Sequence, residues 1–188
     1  MIIRYLDGDA LAVYGPIINI STFVQCCAYS VGQAAQPIIS TNYGAGRSDR
    51  IKETLKYSLF TVAAFSLFWT ILSCAAPGMC VRIFMQPTEN ILAIAPSIIR
   101  TYSISFLLLP LNIFSTYYFQ SILKPKAAFV VSVVRGLVVS GALILSLPLI
   151  SPSAVWLAMP ITELLVAAYV VVTMLRYTKK LPAANVSV

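Results

Sequence analysis

Two stretches of this chain, Tyr57 to Met79 and Ser140 to Met159, run without a single carboxylate, lysine or arginine. About 20 apolar residues cross a bilayer as a helix, the element that pairs its own backbone polar groups inside hydrocarbon. The rest of the sequence agrees: of 188 residues 59% are hydrophobic and 10% charged, where a soluble domain carries about 25% charged residues. The reading is an all-α, polytopic membrane helix bundle. A spanning length of roughly 20 to 30 residues predicts five helices, at about Asp9 to Thr41, Tyr57 to Ala76, Ile91 to Leu123, Ala127 to Ile150 and Ser153 to Arg176. Pro125, Pro152 and the Pro77-Gly78 pair mark stops or starts. Pro16, Pro37, Pro96, Pro110, Pro148 and Pro160 fall in or near spans, as kinks of a transporter or as bends in a passive bundle.

The net charge of +7 does not point to nucleic acid, because the basic residues sit in short connections and not along one exposed face. Their distribution sets orientation. With the first connection in the cytoplasm, Arg47, Arg50, Lys52, Lys56, Lys124, Lys126, Arg176, Lys179 and Lys180 lie inside, and Arg4 and Arg82 outside. The C-terminus is then cytoplasmic, with a tail over residues 177–188. An odd number of spans puts the N-terminus outside, and Met1 is not followed by a cleavable signal pattern, so the sequence reads as incomplete at its start. Cys26, Cys27, Cys74 and Cys80 have no metal-ligand spacing and histidine is absent. They read as small apolar packing residues, with no metal or resident cofactor. Without a histidine, a nucleophile and base pair or a metal cluster, the chain does not read as an enzyme.

Arg100, Arg135 and Glu163 fall inside predicted spans, where ionisable groups are costly and usually face a bundle interior or a water-filled cavity. At 1.5 Å per residue, Arg100 and Glu163 lie roughly 12 and 15 Å from the outer ends of their helices, and Arg135 roughly 14 Å from the inner end of its own. Consecutive antiparallel helices make Arg135 the expected partner of Glu163, with Arg100 second. The carboxylate is then either part of a proton or cation relay or half of a structural ion pair.

The first helix carries its own polar residues. Gln25, Gln33, Gln36 and Gly32 recur near one face, and Asn42 lies near its end; such a stripe lines a cavity or hydrogen-bonds neighbouring helices. Tyr117, Tyr118 and Phe119 read as an interfacial aromatic belt, with Tyr117 or Tyr118 a candidate ligand contact. Asp9, ahead of Ala-Leu-Ala, suits a helix N-cap. Pro37 permits a bend, and Gly44 and Gly46 give the open backbone a helix exit needs, as a cytoplasmic hinge or as helix punctuation.

GDALAVYGPIINISTFVQ, GQAAQPIISTNYGAGRSDRIKETLKYSL and VWLAMPITELL closely resemble the second half of multidrug and toxic compound extrusion (MATE) transporters, especially the MepA-like branch. The resemblance covers nearly the whole chain, and QPIISTNYGAG with its following basic residues is its most specific part. It implies twelve-helix secondary transporters of two pseudo-symmetric six-helix lobes, which export cationic and amphipathic compounds in exchange for Na⁺ or H⁺. This chain is similar to helices eight to twelve, most of one such lobe, with Met1 to Leu6 as the tail of helix seven. The family often has an arginine in its eleventh helix, matched by Arg135, followed by glutamine; here Gly136 follows. Glu163 falls where relatives often carry an acid after a Pro-Ile dipeptide, here Pro160-Ile161. The family's acidic cation sites in helices one, seven and ten have no counterpart here, since Ile91 to Leu123 contains no acid.

The resemblance implies a cation-coupled drug antiporter in a prokaryotic plasma membrane, represented here by a partial chain. Its expected partners are the bilayer, cationic or amphipathic substrates and an N-terminal lobe, with no nucleic acid. The alternatives are a membrane subunit that pairs with another lobe, and a lipid-linked oligosaccharide flippase of the same superfamily, which calls for a more basic cavity.

Overall fold

The computed structural model describes residues 8–181, and every element among them is helical. Helix α1 (Gly8–Gly44) is followed by α2 (Ser48–Ala75) and the short α3 (Pro77–Phe84). Helix α4 (Glu89–Ser103) continues through a 3-10 turn, Ile104–Leu107, into α5 (Leu109–Ser121). Helix α6 (Pro125–Val133) continues through a π-helical segment, Val134–Val139, into α7 (Ser140–Ile150). A 3-10 turn, Pro152–Leu157, leads into α8 (Ala158–Lys179). Five continuous lengths, Gly8–Gly44, Ser48–Ala75, Glu89–Ser121, Pro125–Ile150 and Pro152–Lys179, are long and apolar enough to cross a membrane.

The breaks have local causes. Pro110 lacks an N–H and crowds the carbonyl one turn back, at Phe106, and the chain tightens into the 3-10 turn over those residues. Helix α1 ends in a Schellman motif: Arg47 N–H donates to the Asn42 carbonyl at 2.9 Å, Gly46 N–H donates to Tyr43 at 3.2 Å, and Gly46 takes a left-handed φ of 69°. Gly44 is still within the helix, so the left-handed exit rests on Gly46 alone. Helix α5 ends in the same way, with Lys124 N–H on the Phe119 carbonyl at 2.8 Å and Leu123 N–H on Gln120 at 3.1 Å. There the left-handed residue is Leu123, at φ 56°.

Three expectations are corrected. Helix α2 starts at Ser48, not Tyr57, so the basic cluster Arg50 to Lys56 is helical; these residues are good helix formers, and Arg50 pairs with Glu53 one turn on at 3.3 Å. Asp9 lies within the first turn of α1, which begins at Gly8, so it supports the helix by charge near the N-terminus and not as the cap. Tyr118 and Phe119 are fully buried, belonging to the bundle core in place of a belt. Arg4, the segment Met1 to Leu6 and residues 182–188 of the expected tail lie outside the described residues; Tyr177 to Lys179 are the last turn of α8.

Helix α5 is the centre of the bundle, packed on α1, α2, α6 and α8. One apolar core, with Val13, Ile17, Ile99 and Phe106, fills the end near Asp9. A second, with Ile39, Phe114, Phe119 and Val170, fills the end near Lys180. Close approach of α1 to α5 depends on Gly32, where an added Cβ would lie 2.7 and 2.9 Å from Cγ and Cε2 of Tyr117 and closer still to Cδ2. Asp9, Asn90 and Ser153 meet at one end, and Tyr43, Lys124 and Lys180 at the other, so the spans alternate in direction. Arg82 lies in α3, at the Asp9 end. The other basic residues of the described spans gather at the opposite end, apart from Arg100 and Arg135.

Candidate functional site: a buried charge cluster beside a polar cavity

Glu163 is fully buried in the second turn of α8. The Pro160 ring sits in the first turn of that helix, where a missing N–H is tolerated, and so the Pro-Ile-Thr-Glu run starts the helix and places the carboxylate in the bundle. Arg135 Nε donates to Glu163 Oε1 at 2.8 Å from the π-helical segment. Asn112 Nδ2 donates to Glu163 Oε2 at 2.6 Å and to the Glu163 backbone carbonyl at 2.9 Å. Both carboxylate oxygens are thus engaged, and the cluster joins the third, fourth and fifth spans.

Two features keep the cluster from being closed. Asn112 is fully buried, yet its Oδ1 has no donor, because turning the amide N–H groups onto Glu163 turns the carbonyl away. An unpaired buried acceptor costs about 1–3 kcal/mol. Arg135 meanwhile keeps 19% of its side chain exposed. Both residues line a cavity of about 210 Å³ whose other walls include Tyr29, Thr116 and Ser132. The cavity is therefore lined by donors and acceptors from the first, third and fourth spans.

Arg100 does not join the cluster: it is exposed on α4 and donates from Nε to the Cys74 carbonyl at 3.1 Å. The polar residues of α1 divide. Gln25 bonds Ser21 one turn back at 3.2 Å, Gln33 is exposed, and Gln36 Nε2 reaches Gln120 Oε1 on α5 at 3.4 Å. Asn42 Nδ2 donates to the Ile38 carbonyl of its own helix at 2.8 Å. Tyr117 lies edge-on to Tyr29 with centroids 6.3 Å apart, so it backs the cavity wall and does not line the cavity. Asn112, Tyr29, Thr116 and Ser132 were not singled out by sequence reasoning; Asn112, a lone amide two residues after an intramembrane proline, carried the signal.

A larger cavity, about 620 Å³, opens at the Asp9 end between α1, α4 and the 3-10 turn before α8, with Asn90, Ser97 and Thr101 on one face of α4. Among the described residues, no cluster of histidine, cysteine, aspartate and glutamate is arranged to hold a metal. Cys80, in the short α3 outside the spans, is buried, and that burial pushes its thiol above its ordinary value.

A family model described as MatE matches residues 1–145. Among solved structures, an outward-facing multidrug resistance MATE family transporter of the MOP superfamily is similar to this chain with a TM-score of 0.82 at 15% identity, over 92% of this chain and 39% of that one. At that identity the likeness establishes the fold. The chain spans about two fifths of the length of that transporter. No curated protein matches it.

Proposed function

The chain belongs to the MatE family, and on that premise we propose that it is the C-terminal lobe of a cation-coupled efflux antiporter of the MepA-like branch. The lobe works with an N-terminal lobe by alternating access, exporting amphipathic or cationic compounds in exchange for Na⁺ or H⁺. The seam QPIISTNYGAG and the Pro-Ile-Thr-Glu run support the assignment to the second half. The gathering of basic residues at one end supports a cytoplasmic C-terminus in a prokaryotic plasma membrane.

The observation that carries the reading is the charge cluster with its open side. A buried carboxylate and its partly buried guanidinium partner are expensive in a membrane bundle unless each is paired, and here Arg135 borders a cavity lined also by Asn112, Tyr29, Thr116 and Ser132. We assign the cavity to substrate and the Arg135–Glu163 pair to a clamp between spans. With one oxygen on Arg135 and the other on Asn112, both carboxylate oxygens are occupied by partners from neighbouring spans. The coupling ion then binds elsewhere in the transporter. Gln36, at the end of α1 facing α5, lies on the route toward the basic end, and the Pro37 to Gly46 segment is the hinge over which that end tilts.

The test is efflux of a cationic dye by the full-length transporter in proteoliposomes, with Na⁺ and pH varied independently. Glu163→Gln is expected to lower the rate and thermal stability while leaving the pH profile unchanged. A flattened pH profile would assign the proton to Glu163 and remove the clamp. Failure of every compound in a broad cationic panel to elicit ion-coupled efflux would remove the drug-export reading.

A further inference from the structure

At the basic end of the bundle, Tyr43 of α1, Ile122 and Lys124 past the end of α5, and Tyr177, Lys180 and Leu181 at the end of α8 enclose a cavity of about 360 Å³. Its walls are fixed. The Tyr177 ring stands edge-on to Phe119, centroids 6.1 Å apart, and Lys124 Nζ lies 5.6 Å from the Tyr177 ring centre. The next residue of α8 is tied to α5 by the 2.6 Å bond between Tyr118 Oη and Thr178 Oγ1.

Lys124 and Lys180 are exposed, and neither forms an ion pair among the described residues. Three helices end here, and each carbonyl end carries about half a negative charge; the two full lysine charges exceed these, and Lys126, Arg176 and Lys179 at the same end add to the excess. The acids at the start of α2 are Asp49 and Glu53, and Glu53 is bound to Arg50. No other carboxylate side chain lies between Glu89 and Val188 except Glu163, which Arg135 occupies.

The second observation is Leu123. It holds the left-handed position of the α5 Schellman motif, the position Gly46 holds in α1. A residue with a Cβ is strained there, because the Cβ crowds the following carbonyl oxygen. Its side chain is nonetheless 72% exposed, directly beside Lys124. An uncovered apolar side chain kept at a strained position next to an unpaired cation matches a ligand with an anionic head and an apolar tail.

We propose that this pocket binds the phosphate headgroup of an anionic phospholipid, with Lys124 and Lys180 on the phosphate and Leu123 against the acyl chains. Phosphate and basic pockets between membrane helices suit one another in this way, and each basic residue near the surface is worth about fivefold in affinity. Free inorganic phosphate would satisfy the lysines but not Leu123.

The experiment is native mass spectrometry of the full protein in detergent, titrated with phosphatidylglycerol, with phosphatidylcholine of the same chains, and with inorganic phosphate as competitor. Phosphatidylglycerol is expected to bind in preference. Lys124→Gln with Lys180→Gln should lower that preference about 25-fold at fivefold per lysine, while Lys52→Gln with Lys56→Gln on α2 leaves it within about twofold. Leu123→Gly should raise thermal stability yet weaken phosphatidylglycerol binding, opposite signs that a purely structural role does not produce. Should the double glutamine variant misfold, Lys124→Arg with Lys180→Arg keeps the charge and should keep the preference. An unchanged preference in the folded glutamine variant overturns the proposal, and so does full displacement of the lipid by inorganic phosphate, which would leave an anion site with no lipid component.

Discussion

Helix α5 and helix α7 sit in consecutive spans, and the span of the less buried helix is the more apolar. The window containing α7 has the highest mean hydropathy of the five spans, yet Ser140 is the one residue of that helix that is buried. Helix α5, in a less apolar span, buries nine of its 13 residues, Asn112, Ser115 and Ser121 among them. In a soluble protein hydrophobicity and burial rise together, because both are driven by escape from water. Here lipid tails are as apolar as leucine, so Leu145, Leu149 and Ile150 remain on the outside. Interior positions are distinguished instead by packing and by polar groups that need partners.

The sharpest way to break this contrast is to remove the charge at its centre. Glu163→Ala leaves Arg135 without its partner and takes from the Asn112 amide one of its two acceptors, so a loss of about 3–5 kcal/mol is expected in mixed-micelle unfolding. Phe114→Ala, at a fully buried position of α5, should lose about 3–5 kcal/mol by the same measurement. Gly32→Val drives a side chain into the Tyr117 ring and should cost about 1–3 kcal/mol, visible as a lower melting temperature. Tyr118→Phe removes the bond to Thr178 for about 1 kcal/mol. At the other extreme, Leu145→Ala and Leu149→Ala should stay within about 0.5 kcal/mol. Spin labels at those two positions should be quenched by oxygen and not by a water-soluble nickel complex. A large loss at Leu149 would mean that α7 is a packed helix after all.

The number of spans was legible because bilayer thickness sets a length that charge-free runs either reach or miss. The ends were less so: Arg50 to Lys56 reads as a polar connection, yet charged residues are good helix formers and α2 carries them beyond the apolar run. Depth along a helix placed Arg100, Arg135 and Glu163 alike, since rise per residue follows from sequence. Which of the three meet depends on azimuth and on neighbours, and there Arg100 parted from the others to the Cys74 carbonyl. The stripe of α1 divides in the same way: Gln33 and Gln36 are three apart, and of the two Gln36 finds a partner on α5. Tyr118 and Phe119 looked interfacial because they precede Lys124 by one to two turns, but the chain turns back at Leu123 and the two rings are enclosed.

The π-helical segment Val134–Val139 sets an angular phase. Each residue of an α-helix advances the chain by about 100°, and a π turn takes up one extra residue within about one turn, so the helix beyond it keeps its phase. Deleting one residue between Gly136 and Val139 would therefore restore a regular helix with Ser140 still inward. Forcing the present sequence into a regular helix would instead swing everything beyond the segment by about 100° and turn Ser140 out of the bundle. A helix with one inward residue has only that residue to be misaimed, which makes its bearing, more than its composition, the property that the wide turn keeps.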